Sequence, residues 1–174
     1  MARNRKPRKA YRPRGVNPLA HVMAMQGAAA LTRDDRLAWL TGLHEALAAV
    51  RTGSAQRPQW AALFDAINLI EQFTLLGICR DDDGLVQTAQ DAVAAILDRQ
   101  AQSGVRAARA AELAALGDVV TSYADVLAAV THAQMYEAQA RVAERVQRVL
   151  RSPEPPPGVR VFEAAAVSAV KGAA

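Results

Sequence analysis

Cysteine, aromatic residues and long hydrophobic runs are all scarce in this sequence of 174 residues. The single cysteine, Cys79, excludes an internal disulfide and any cysteine-based zinc site within one chain. Its position beside a predicted loop favours a partly buried, unreactive thiol. Aromatic side chains account for 5% of the residues, whereas about a fifth are alanine, the strongest helix former. These proportions predict an all-α protein with a core of Leu, Val, Ile and Ala.

No segment has the length and apolarity that a membrane span requires. The most apolar N-terminal run, HVMAMQGAAAL at 21–31, is too short to cross a bilayer and too weakly apolar for a signal peptide. We therefore expect a cytoplasmic protein without a membrane partner.

Catalytic and metal-binding motifs are absent as well. The three histidines, His21, His44 and His132, fall in different predicted helices and lack paired ligand spacing. The DDDG run at 81–84 has its glycine too early for an EF-hand loop and no glutamate at the twelfth position, so we predict a turn whose acids cap the next helix. There is no phosphate-binding loop, nucleophile elbow or paired-carboxylate motif. We predict a protein that is not an enzyme and uses no cofactor or metal.

Positive charge is abundant, but it is confined to one end of the chain. Residues 1–14 carry seven cations and no acid, whereas residues 15–152 hold twelve arginines against fifteen acids, a net charge of −3. Residues 153–174 are neutral. The overall charge of +4 therefore comes entirely from the N-terminal arm, which we define as residues 1–16.

The N-terminal arm has the composition of a disordered, polyanion-binding segment. Pro7 and Pro13 oppose a helix, and like charges repel one another along a stretch with little apolar surface. Neutralising phosphates would release condensed counterions, and Tyr11 could stack on a base. An acidic protein surface, a purely solubilising role and a membrane surface are the alternatives. The predicted nucleic-acid-binding residues are Arg3, Arg5, Lys6, Arg8, Lys9, Tyr11, Arg12 and Arg14.

Helical periodicity and capping signals predict a bundle of four to five helices over residues 17–152. Pro18 suits a first helical position, Thr32 with Asp34 and Asp35 resembles a capping box, and glycines follow the later apolar faces. The predicted helices cover 18–30, 32–53, about 58–77 and about 85–104, followed by a long last segment at 105–151.

The last segment predicts a long C-terminal helix. Its apolar residues recur at helical spacing from Leu113 to Val149 without an intervening proline. We favour a continuous or kinked helix, with a break at Gly117-Asp118 as the alternative. Near its end, Val142 and Val146 are equally compatible with a dimer seam and with an intramolecular core, as is Val149.

A second candidate basic surface lies on this helix. Its four arginines, which we call the arginine stripe, are spaced along one side: Arg141, Arg145, Arg148 and Arg151. They could extend a phosphate-binding surface. Ordinary helix electrostatics is favoured, because Glu137–Arg141 and Glu144–Arg148 are i,i+4 pairs and cations suit a helix C-terminus.

Residues 153–174 form a proline-rich linker and a short C-terminal segment. The sequence SPEPPPG predicts an extended polyproline conformation that ends the last helix. Beyond it, VRVFEAAAVSAVKGAA could dock back on the bundle or bind a partner. Flexible N- and C-terminal tails therefore flank the predicted bundle.

The stretch KPRKAYRPRGVNPL, followed by a small helical body, resembles small uncharacterised proteins encoded by phages and prophages of Proteobacteria. These open with a similar basic tail, and the resemblance rests mainly on residues 6–14. It implies a phage or prophage setting and carries over no catalytic or binding residue.

The sequence thus favours a non-enzymatic accessory protein. Its N-terminal arm would bind nucleic acid with little sequence preference, while its helical body forms a homo-oligomer. The alternative is a protein-interaction module, an adaptor or inhibitor of a host or phage protein, that acts through the bundle or the C-terminal tail.

Overall fold

The computed structural model describes residues 18–152, except for the side chains of residues 18–21 and 23. Within this range the chain forms a bundle of six α-helices and no strand, so the all-α prediction is confirmed. The helices are α1 (Pro18–Ala28), α2 (Arg33–Thr52), α3 (Arg57–Leu75), α4 (Leu85–Ser103), α5 (Ala110–Ala129) and α6 (His132–Arg151). The N-terminal arm and residues 153–174 lie outside the described residues.

Local capping signals set most of the helix ends. Thr32 caps α2 by accepting a hydrogen bond from the backbone N–H of Asp35, whose carboxylate accepts one from the Thr32 N–H in return. Gly53 ends the same helix in the left-handed conformation. At the start of α4, the Asp81 carboxylate accepts hydrogen bonds from the backbone N–H groups of Leu85 and Val86, over 2.6 and 3.2 Å. The predicted acidic cap of this helix is confirmed.

The central helix of the bundle is α3, which packs against α2, α4, α5 and α6. It contributes the largest fully buried side chains, including Trp60 and Phe73. Leu116 and Leu127 from α5 and Ile96 from α4 are also fully buried. Apart from Trp60, Phe73, Tyr123 and Met135, the core consists of Leu, Ile, Val and Ala, as the composition predicts.

The prediction of one long helix over residues 105–151 is wrong, and the described chain has more than the predicted four to five helices. The chain breaks at Val130 and Thr131, which are both extended, and Gly117 lies inside α5. Thr131 caps α6 with Gln134. The break is also tied to the α1–α2 turn, because the Val130 carbonyl accepts from Leu31 N–H and His132 N–H donates to the Ala29 carbonyl. These tertiary hydrogen bonds satisfy backbone groups that a continuous helix would pair internally.

A membrane-spanning role finds no support in the helices of residues 18–152. None of them combines the length and the apolar character needed to cross a bilayer.

Candidate functional site

The structure divides the arginine stripe into paired and unpaired members. Arg141 donates to Glu137 over 2.7 Å, which confirms the predicted i,i+4 pair. Arg145 instead reaches α3, where its guanidinium lies 2.7 Å from the Glu71 carboxylate. Because Arg145 links two helices, it stabilises the position of α6 on the bundle.

The remaining two arginines of the stripe lie at the end of α6. Arg148 and Arg151 are exposed and form no ion pair within residues 18–152, and the predicted Glu144–Arg148 pair is not formed there. These two cations in the last turn interact favourably with the negative end of the helix dipole. They also present unpaired positive charge to solvent.

The first helix is oriented by its contact with α6. The Ala133 side chain lies so near Gly27 that a Cβ added to the glycine would be 3.2 Å from the Cβ of Ala133. Ala30 forms an isolated antiparallel β-bridge with Thr131. The last turn of α1 therefore lies beside the first turn of α6. α1 thus packs against α6.

An open apolar groove lies between α2, α3 and α6, with a volume of about 540 Å³. We call it the α6 groove. Trp39 from α2 and Val146 from α6 line it, and Val146 is 41% exposed. Small side chains supply much of the remaining lining, and Tyr123 of α5 also lines it. The lining residues are Trp39, Gly42, Leu43, Ala62, Asp65, Ala66, Leu69, Tyr123, Gln139, Val142, Ala143, Val146 and Gln147.

The α6 groove contains one carboxylate, that of Asp65. It forms no ion pair with any residue in the range 18–152. Partial desolvation by the surrounding groove raises the pKa of Asp65 above its ordinary value. Burial raises the pKa of the nearby Tyr123 hydroxyl, and the negative charge of Asp65 adds to that effect. The groove is therefore mainly apolar, with Gln139 and Gln147 as neutral polar residues and Asp65 as its one acid.

The histidines are the remaining candidate groups from the sequence. His44 is exposed, and the side chain of His21 lies outside the described residues. His132 stacks on Tyr136, and its Nε2 is 3.7 Å from an Asp35 carboxylate oxygen. No cluster of three potential metal ligands occurs in the described part of the chain.

Cys79 is half-buried, as the sequence predicts. Its Sγ lies 3.4 Å from the Thr74 hydroxyl and 3.8 Å from the Ile70 carbonyl. These contacts place the thiol against the end of α3, away from the α6 groove.

Sequence reasoning missed both the α6 groove and the Arg145–Glu71 ion pair. The only signal is the apolar spacing of Val142, Val146 and Val149, which is equally compatible with a dimer seam and with an intramolecular core. In the structure Val142 packs partly buried against the core, whereas Val146 and Leu150 remain 41% and 55% exposed.

The chain was compared with family models, curated proteins and solved structures, and it matches none of them.

Proposed function

We propose that this protein is a cytoplasmic, non-enzymatic accessory protein of a phage or bacterium that binds nucleic acid through its N-terminal arm. The arm contacts phosphates and therefore has little sequence preference. The observation that carries this proposal is the division of charge, seven cations without an acid in residues 1–14 against a net −3 in residues 15–152.

The position of the unpaired arginines supports a surface that extends beyond the arm. Arg148 and Arg151 have no carboxylate partner in the described chain and are exposed in the last turn of α6. In this proposal they add a second phosphate-contacting point to that of the arm. Arg141 and Arg145 contribute less, because their charges are already compensated by Glu137 and Glu71.

The helical body forms a homo-oligomer in this proposal. Among the described residues, five of the eight exposed large hydrophobic side chains lie on α1 or α6, which pack against each other. Met25 and Tyr136 are 64% and 68% exposed. Apolar side chains exposed on neighbouring helices favour burial against a second surface.

The test compares two variants with the same change in charge. Replacing Arg8, Arg12 and Arg14 by Gln removes three cations from the arm. The control replaces Arg33, Arg51 and Arg57 by Gln, which are exposed body residues without an ion pair in the described range.

Binding to duplex DNA, single-stranded DNA and RNA is measured at several salt concentrations. The arm variant should bind more weakly, with a salt slope smaller by about 2 to 3. The control should bind almost as the wild type does. Equal losses in the two variants, or a wild-type slope near zero, would refute the proposal.

The second candidate function, a protein-interaction module, is favoured by the α6 groove. An apolar groove with one carboxylate suits a partner segment that carries large apolar side chains and a cation. Salt-independent binding to a host or phage protein that is lost on Val146→Glu, a substitution in the groove wall, would favour this function over nucleic-acid binding.

A further inference from the structure

We propose that residues 159–170 of this chain, VRVFEAAAVSAV, dock in the α6 groove. We call these residues the docking segment. The proposal concerns the bundle and the C-terminus, and it does not depend on nucleic-acid binding by the N-terminal arm.

The groove is shaped to receive large apolar side chains. Its walls include the small residues Gly42, Ala62 and Ala143, which leave space between Trp39 and Val146. The docking segment provides the large side chains that this space lacks. They are Val159, Val161, Phe162, Val167 and Val170. Covering the exposed part of the groove removes apolar surface from water, which favours docking.

The apolar lining continues toward the point where the docking segment is attached. Val142, Val146 and Leu150 follow one another at intervals of four, so they share one face of α6. Leu150 is 55% exposed and lies in the last turn. The chain leaves α6 one residue after that turn ends, at Ser152. An apolar track therefore connects the groove with the start of the C-terminal linker.

The linker is long enough for the docking segment to return. Residues 152–158 number seven, and an extended polyproline chain spans roughly 22 Å at about 3.1 Å per residue. Val146 lies six residues before Ser152, roughly 9 Å back along the helix. The attachment keeps the effective concentration of the segment on the order of millimolar. This favours the chain's own segment over a second copy in dilute solution.

Charge complementarity sets the orientation. Asp65 is the one carboxylate that lines the groove, and it lacks an ion-pair partner in the described chain. Arg160 lies between the apolar Val159 and Val161. In our proposal the docked segment carries the Arg160 guanidinium to this carboxylate, where partial desolvation strengthens their attraction.

Cysteine cross-linking of the full-length chain tests this placement. In a Cys79→Ser background, Ala143→Cys places a thiol on the groove wall and Val161→Cys places one in the docking segment. Ala143 is exposed, so its substitution leaves the core intact. The control pairs Val161→Cys with Ala140→Cys, because Ala140 is exposed on the same helix, within one turn of Ala143, and does not line the groove.

The expected result is a disulfide within one chain for the groove pair, at a yield independent of protein concentration and several-fold above that of the control pair. A disulfide between two chains would assign the groove to a second copy and overturn the proposal. A yield equal to that of the control pair would overturn it as well.

Tryptophan fluorescence provides an independent readout. Trp39 lines the groove and is half-buried, whereas the second tryptophan, Trp60, is 2% exposed. Phe162→Glu should therefore shift emission to longer wavelength, because the vacated groove lets water reach the indole of Trp39. Ala173→Glu introduces the same charge outside the docking segment and should leave the spectrum unchanged. Identical spectra for both variants would count against docking.

Discussion

Arg99 on α4 and Glu112 on α5 form a two-point ion pair that connects the two ends of the α4–α5 loop. The guanidinium Nη1 donates to Oε1 over 2.7 Å, and Nη2 donates to Oε2 over 2.5 Å. Arg99 also donates to the Ala107 carbonyl, while Glu112 accepts from the backbone N–H of Arg109. The two side chains are only 14% and 11% exposed. The Glu112 carboxylate therefore links α4 to α5 and also caps the start of α5.

Removing this carboxylate should lower stability in a pH-dependent way. Glu112→Gln leaves the Arg99 guanidinium without its counterion, and we expect a loss of about 2 kcal/mol in the free energy of unfolding at pH 7. The hydrogen bonds from Arg99 hold the pKa of Glu112 below its ordinary value of 4.5, against an opposing effect of burial. The stabilisation is thus complete above pH 4.5 and is lost as the pH falls through the folded-state pKa.

Urea unfolding of the wild type and the variant between pH 7 and pH 3 measures this difference. The difference in the free energy of unfolding between the two proteins should be constant above pH 5 and should decrease below it. Glu144→Gln, an exposed glutamate without an ion pair in the described range, serves as the control. A gap that is unchanged at pH 3 would contradict the assignment.

Gly53 is required where α2 ends. It has φ of +72°, and a Cβ built there would lie 2.9 Å from the backbone nitrogen of Ala107. Backbone atoms cannot rotate away, so Gly53→Ala combines conformational strain with a clash and should destabilise by about 2 to 4 kcal/mol.

Gly104 provides a matched control for this substitution. Its φ is +73°, but no atom lies within 4 Å of the corresponding Cβ position. Gly104→Ala should therefore cost only about 1 kcal/mol, from backbone strain alone. Thermal unfolding of both variants separates the two contributions, and equal losses would contradict the close packing at Gly53.

Thr131 begins α6 and so maintains the break between α5 and α6. Its hydroxyl accepts from the Gln134 N–H over 3.3 Å, and the Gln134 side-chain oxygen accepts from the Thr131 N–H over 2.9 Å. Thr131→Ala should destabilise the protein by about 1 kcal/mol, because the Gln134 N–H loses its partner.

Thr121→Ala is the corresponding control for Thr131→Ala. Thr121 is exposed within α5, where alanine has the higher helix propensity, so chemical denaturation should show no loss of stability. If Thr131→Ala were equally neutral, the cap would not account for the helix start.

The two ends of the arginine stripe should differ in nucleic-acid binding, if that proposal holds. Replacing Arg148 and Arg151 by Gln removes two uncompensated charges and should reduce the salt slope by up to about 2. Replacing Arg141 and Arg145 by Gln changes the net charge equally. We expect this second variant to change the salt slope less and to have a lower free energy of unfolding, because Glu71 loses its partner on α6. Fluorescence anisotropy titrations and urea unfolding measure the two effects, and equal slopes for the two pairs would contradict this distinction.

Much of the helix pattern could be predicted from the sequence because its signals are local. Thr32 and Asp35 form their capping box within one turn, and Gly53 and Gly104 take left-handed conformations at the ends of α2 and α4. Each of these devices needs only neighbouring residues. The same locality explains the acidic cap that Asp81 provides for α4.

The break between α5 and α6 was harder to predict from the sequence, although Thr131 and Gln134 carry a capping-box pattern. Apolar periodicity continues across Val130, so the sequence also fits a continuous helix. The hydrogen bonds between residues 130–132 and the α1–α2 turn join segments about a hundred residues apart, and no local pattern reports them.

By itself the sequence determined the helical class, most helix boundaries and the separation of positive charge into the N-terminal arm, since these follow from composition and short-range chemistry. The tertiary structure alone decided that Arg145 is compensated, because Glu71 and Arg145 meet only when α3 and α6 pack. It also decided where the apolar groove lies. A groove is the space left between helices, and its shape depends on how α2, α3 and α6 pack together rather than on any one segment.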